Sequence, residues 1–128
     1  MSLVELNKVL VEKGKGKIEN LYFNFTGDTI SFKLKNKSQE TTEIIFGKVD
    51  SFFFIESENN IEELEDINSI SYYSSGFGEF SKAEYAYDES PVMSVPNFAL
   101  DFKNSSIFIE AKSIFIDGKE YSLRTSLN

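Results

Sequence analysis

The stretch Leu21-Tyr22-Phe23-Asn24-Phe25-Thr26-Gly27-Asp28-Thr29-Ile30-Ser31-Phe32-Lys33-Leu34 decides the fold. Apolar and polar side chains alternate on both sides of Gly27-Asp28, and a period of two marks a half-buried strand. A two-residue loop at Gly27-Asp28 sets Phe25 opposite Ile30, Phe23 opposite Phe32 and Leu21 opposite Leu34. All six then share one face, while Tyr22, Asn24, Ser31 and Lys33 take the other. A slip of one residue would destroy that segregation, so the register is well specified.

The pattern continues outward from this hairpin. Thr41–Glu56 reads as two strands joined or bent at Gly47-Lys48, with Ile44, Phe46, Val49 and Phe53 on one face. Phe52-Phe53-Phe54-Ile55 is apolar on both faces and needs cover on both sides. Ser69–Glu89 is rich in Tyr, Phe, Ser and Gly and reads as two strands around Ser74–Gly78. Pro91 and Pro96 bracket an irregular crossing. Phe98, Leu100 and Phe102 can face Ala111, Ile109 and Ile107 across a turn at Lys103–Ser106, and Asp117-Gly118 is a two-residue turn joining Ser113–Ile116 to Lys119–Leu123.

Two segments carry helical signals. Ser2 and Glu5 have capping-box spacing, Leu3, Leu6 and Leu10 recur on one face, and Gly14 suits the C-terminal cap. Asn60 and Glu63 repeat the capping spacing before Ile61 and Leu64, which predicts a short acidic helix near 60–67. The expected architecture is mainly β: a single antiparallel sandwich or barrel of about 8–10 strands with an N-terminal helix. The 128 residues fit one domain, 1–128.

Composition removes several chemistries. There is no Cys and no His, so disulfides, thiol nucleophiles, zinc thiolates and the Ser–His triad are impossible. No nucleophile elbow, phosphate-binding Gly loop or dinucleotide fingerprint occurs, so no enzyme activity and no cofactor are expected. Glu62, Glu65 and Asp66 would lie on one side of a helix, but no calcium-loop pattern accompanies them and no metal is expected. Leu3–Val11 is broken by Glu5, Asn7 and Lys8 and is no secretory signal. Twelve Lys against one Arg reads as an AT-rich bacterial or phage genome, and the expected compartment is the cytoplasm.

Charge is segregated along the chain. Met1–Val49 holds eight Lys and six acids, Asp50–Glu89 holds eleven acids and only Lys82, and Ser90–Asn128 balances four against four. The middle third therefore carries more than the whole net charge of −8. That sign disfavours nucleic acid and anionic membrane as partners and favours a basic protein. Beside the acids lie Tyr72, Tyr73, Phe77, Phe80, Tyr85 and Tyr87, and Tyr concentrates in interface hot spots. The expected interface is thus Glu62, Glu65 and Asp66 for steering, with Tyr72, Tyr73, Tyr85 and Tyr87 as anchors. Ordinary cross-strand packing explains the same rings equally simply. The functional expectation is a small acidic protein-binding module, such as an immunity or antitoxin-type protein covering a basic toxin. The alternative is a β-barrel binding a small apolar ligand among its Phe side chains.

Overall fold

The computed structural model describes residues 3–24, 26–56, 66–81 and 93–123. Helix α1 (Leu3–Lys13) is followed by β1 (Lys17–Asn24), β2 (Thr29–Lys35), β3 (Thr41–Gly47) and β4 (Ser51–Glu56). Then come β5 (Ser69–Tyr72), β6 (Phe80–Ser81), β7 (Met93–Ser94) and β8 (Phe98–Asp101). The chain continues through β9 (Ser105–Glu110), β10 (Ser113–Ile116) and β11 (Lys119–Ser122). Two antiparallel sheets result, ordered β1-β2-β3-β10-β11 and β4-β9-β8-β5, with β6 and β7 pairing separately. Neither sheet closes on itself, so the architecture is sandwich-like and not a barrel.

Alternation fills the space between the sheets. Ile30, Phe32 and Leu34 on β2, Ile44 and Phe46 on β3, and Ile114 and Ile116 on β10 are buried from one side. Ile70, Tyr72, Phe98, Leu100, Ile107 and Ile109 meet them from the other. The rings of Phe46 and Phe98 join the two sheets edge-on, with centroids 4.9 Å apart. Helix α1 packs against β5 and buries Leu6 and Leu10. Its end approaches the sheet so closely that a Cβ at Gly14 would lie 2.6 Å from the Leu10 carbonyl and 3.1 Å from Ile70 Cβ. Glycine is required there by space, not by φ.

Two registers differ from the sequence reading, both by two residues. Phe23 pairs with Ile30 and Asn24 with Thr29, so the turn between them spans four residues. The Asn24 carboxamide fixes this loop: its Oδ1 accepts from Thr26 N, Gly27 N and Thr26 Oγ1 at 3.2, 3.0 and 2.9 Å, and Asp28 turns left-handed at φ 53. A bulge between Glu19 and Tyr22 then sets Ile18, not Leu21, opposite Leu34. In the second case Phe98 pairs with Ile109 and Leu100 with Ile107, closing the turn at Phe102–Ser105. Ala111 leaves the ladder because the Asn97 carboxamide takes both its backbone groups, Nδ2 donating to Ala111 O at 2.8 Å and Oδ1 accepting from Ala111 N at 3.0 Å. Since side chains alternate with period two, a two-residue shift preserves the inward set. The Asp117-Gly118 turn matches its expectation: Ile116 pairs with Lys119, and both turn residues have positive φ, 50 and 84.

The Gly47-Lys48 bend is neither a hairpin nor a bulge. Lys48 (φ 51) starts a crossing from one sheet to the other, held by Val49 N to Asp28 O and Asp50 N to Glu110 O, both 2.8 Å. Phe53 therefore pairs with Phe108 on the outer side of the second sheet, away from Ile44 and Phe46. Most of the acidic helix expected near 60–67 lies outside the described residues. At its end Ile67 forms an isolated bridge with Gly16 instead of helix.

Candidate functional site

Strand β4 ends one sheet, pairing with β9 on one side only. Its residues alternate between the sandwich mouth and the outer face. Phe52 and Phe54 oppose Ile109 and Ile107 on the inner side, yet because the strand is an edge both remain 41% exposed, and Ile55 is 46% exposed. Phe52 stacks on Phe23 of β1, centroids 4.9 Å apart, so one ring pair bridges the open edges of the two sheets. Next to that pair lies an open groove of about 340 Å³, lined by Phe23, Ile30, Val49, Phe52 and Phe53, with Asp28 and Asp50 contributing carboxylates. Edge strands in soluble proteins are commonly blunted by Lys, Pro or bulges. β4 contains none of these.

The outer face of the same sheet is covered by the aromatic segment after β5. Phe80 packs on Phe53 and Phe108, with centroids 4.9 and 5.1 Å away, and Phe77 on Phe108 at 5.9 Å. This covers Phe53 on the outer face, while Ile55 stays exposed there. Ser94 ties β7 to the sheet: its buried hydroxyl donates to Glu110 Oε1 at 2.6 Å and shares a short hydrogen bond with the Ser51 hydroxyl. At the other end of the same sheet, Asp101 accepts from Ser106 Oγ at 2.9 Å and Ser69 Oγ at 3.3 Å.

Three of the residues expected to form an interface, Tyr72, Tyr73 and Asp66, are among those described, and their surroundings differ. Tyr72 is 4% exposed, its ring against Phe98 at 5.0 Å, and burial pushes its phenol pKa above the usual value. A partner cannot reach that ring. It belongs to the core because Tyr72 shares its parity with Ile70 on β5. Tyr73, one residue on, is 60% exposed and stacks on Phe77 at 5.6 Å. Asp66 is exposed, but it lies in a cleft with four lysines, far in character from an acidic face. Glu62, Glu65, Tyr85 and Tyr87 lie outside the described residues. Among the described residues no group of three or more carboxylates is arranged to hold a metal ion, and no helix is long and apolar enough to cross a membrane.

A family model for YxiG-like protein matches residues 6–121. The chain belongs to the YxiG-like family. The match runs from α1 to β11, so the family is defined by the whole sandwich and not by one motif within it. Comparison with curated protein sequences and with solved structures returned no match. The mouth residues Phe23, Asp28, Phe52 and Phe54 were not singled out from sequence as a site. The one signal pointing to them was the four-residue apolar run on β4, whose need for cover on both faces is met only in part.

Proposed function

We propose that this YxiG-like protein is a binding module, not an enzyme, whose partner is a basic protein in the cytoplasm. An immunity-type role, covering the positive site of a toxin, is the specific form of this reading. The observation that carries it is the β4 edge: Phe52 and Phe54 are exposed on the face beside a groove rimmed by Asp28 and Asp50, and Ile55 is exposed on the other face of the same strand. Apolar side chains at the centre of a contact supply affinity, and a charged rim supplies rate and choice of partner. The chain's acid-rich middle third, which begins at Asp50, adds to the same field.

The experiment is capture of a partner from the source organism with the full chain, followed by kinetics across a salt series. Phe54→Ser should speed dissociation, whereas Asp28→Lys should slow association and flatten its salt dependence. Loss of neither, or a captured protein that is itself acidic, refutes the reading.

A second reading is favoured by the groove's volume, which exceeds the ~300 Å³ at the lower end of small-molecule sites. Its carboxylate rim disfavours fatty acids and favours a neutral or cationic apolar ligand. Failure of a neutral hydrophobic dye to respond to Phe23→Ser or Phe52→Ser would remove it.

A further inference from the structure

We infer that a lysine-lined cleft, on a part of the molecule separate from the β4 groove, binds a short oligophosphate such as the phosphate chain of a free nucleotide. The cleft has a volume of about 620 Å³ and lies where the start of β1, the β2–β3 turn and Asp66–Asn68 converge. Lys15, Lys17, Lys35 and Lys37 all line it. Four of the chain's twelve lysines thus meet in one depression of a protein whose net charge is −8.

The pairing of the strands makes this arrangement costly without an anion. Lys17 and Lys35 are direct cross-strand partners, and like charges at such positions repel. Two residues along the same ladder Glu19 faces Lys33, the complementary pairing. Two lysines elsewhere in the fold have acids in reach: Lys13 Nζ lies 3.0 Å from Asp117 Oδ2 and Lys119 Nζ 3.3 Å from Glu5 Oε1. None of the four cleft lysines reaches an acid at ion-pair distance among the described residues. Asp66 is the one carboxylate lining the cleft among those residues, leaving a local excess of positive charge.

The wall is fixed as well as charged. Gly16 and Ile67 exchange backbone hydrogen bonds of 3.0 and 2.8 Å across it. At Gly16 (φ 137) a Cβ would come within 2.6 Å of the Lys35 carbonyl, so this position has no room for a side chain. Ammonium groups mounted on such a frame, with Ser38, Gln39 and Asn68 as polar neighbours, suit phosphate oxygens. The ligand is short for an electrostatic reason. Fields are screened within ~8 Å at physiological salt, so a compact anion senses the lysines, whereas a long nucleic acid also meets the acid-rich remainder of the surface.

The test is titration of the isotope-labelled full chain with tripolyphosphate, read by amide shifts. Saturable shifts at Gly16, Lys37, Gln39 and Asn68 are expected, and ATP should bind comparably while single-stranded oligothymidylate binds more weakly. Lys17→Thr with Lys35→Thr should weaken tripolyphosphate binding about tenfold or more and melt no lower than the parent, since a repulsive pair is removed. Lys15→Ser with Lys37→Ser, outside the paired strands, should weaken it similarly and guards against misfolding of the first variant. Lys103→Thr with Lys112→Thr, away from the cleft, should leave binding unchanged. Absence of saturable shifts, equal loss in the Lys103/Lys112 control, or tighter binding of the oligonucleotide overturns the inference.

Discussion

Replacing Tyr72 and Tyr73 separately by Ala tests how two adjacent rings divide between core and surface. Tyr72 is 4% exposed, touches Phe98 at 5.0 Å and lies on the β5 face that meets α1 and the opposite sheet. Its truncation leaves a cavity the size of an aromatic side chain, and such changes cost about 3–5 kcal/mol. A domain of this length holds roughly 6–19 kcal/mol in total, so the variant loses a large share of its stability. The melting temperature should fall by about 9–25 °C at some 3–5 °C per kcal/mol. Tyr73 is 60% exposed and its main neighbour is the half-buried Phe77, so its loss should change stability by less than about 1 kcal/mol. Urea denaturation of both variants, with equal m-values to establish a shared unfolded state, measures the contrast. Equal destabilisation of the two, or a Tyr72→Ala protein melting within about 2 °C of the parent, would refute the assignment of Tyr72 to the core.

Three further outcomes follow from the hydrogen bonds and the edge strand. Asn97→Ala strips both partners from the buried Ala111 backbone and should cost about 2 kcal/mol or more, with Asn97→Asp intermediate because only the acceptor survives; amide exchange at Ala111 reports it directly. Burial opposes ionisation of Asp117, but the Glu43 N–H and the Lys13 ammonium outweigh it and hold its carboxyl below the ordinary 3.8. A depressed acid stabilises the fold above its unfolded pKa and ceases to as pH falls through the folded value. The gap between wild type and Asp117→Asn should therefore be under about 1 kcal/mol at neutral pH, given the pair's exposure, and shrink away as pH falls below the ordinary carboxylate range. Phe54→Ser should change stability by less than about 1 kcal/mol while reducing self-association at high concentration, measured by light scattering.

What was legible in the sequence was parity. The face assignments in β2 and β9 follow from period-two alternation, because burial of one face rewards it at each position. Turn lengths were less legible where a side chain intervenes. Asn24 and Asn97 each use a carboxamide to replace backbone partners, and nothing in local hydrophobic pattern signals that an Asn will do so. Asp117-Gly118 was read correctly because two successive positive-φ positions leave few other solutions. The placement of Phe53 failed for a different reason: the chain changes sheets at Gly47–Asp50, and pattern alone does not distinguish a crossing from a hairpin. Net charge misled locally as well. A chain of net −8 still gathers four lysines around Asp66, because strand pairing brings together residues 15–17 and 35–37 that a linear charge count treats separately.

The pairing of Ser81 with Met93 brings the end of β6 and the start of β7 within reach of a tight turn. Backbones of an antiparallel pair lie about 5 Å apart, so a two-residue Asn-Gly turn is long enough to join β6 directly to β7. Phe80 on Phe53 and the Ser94–Glu110 hydrogen bond anchor the two strand ends independently of one another. A chain closed at this point by such a turn should accordingly keep both main sheets, because each strand end carries its own attachment to them.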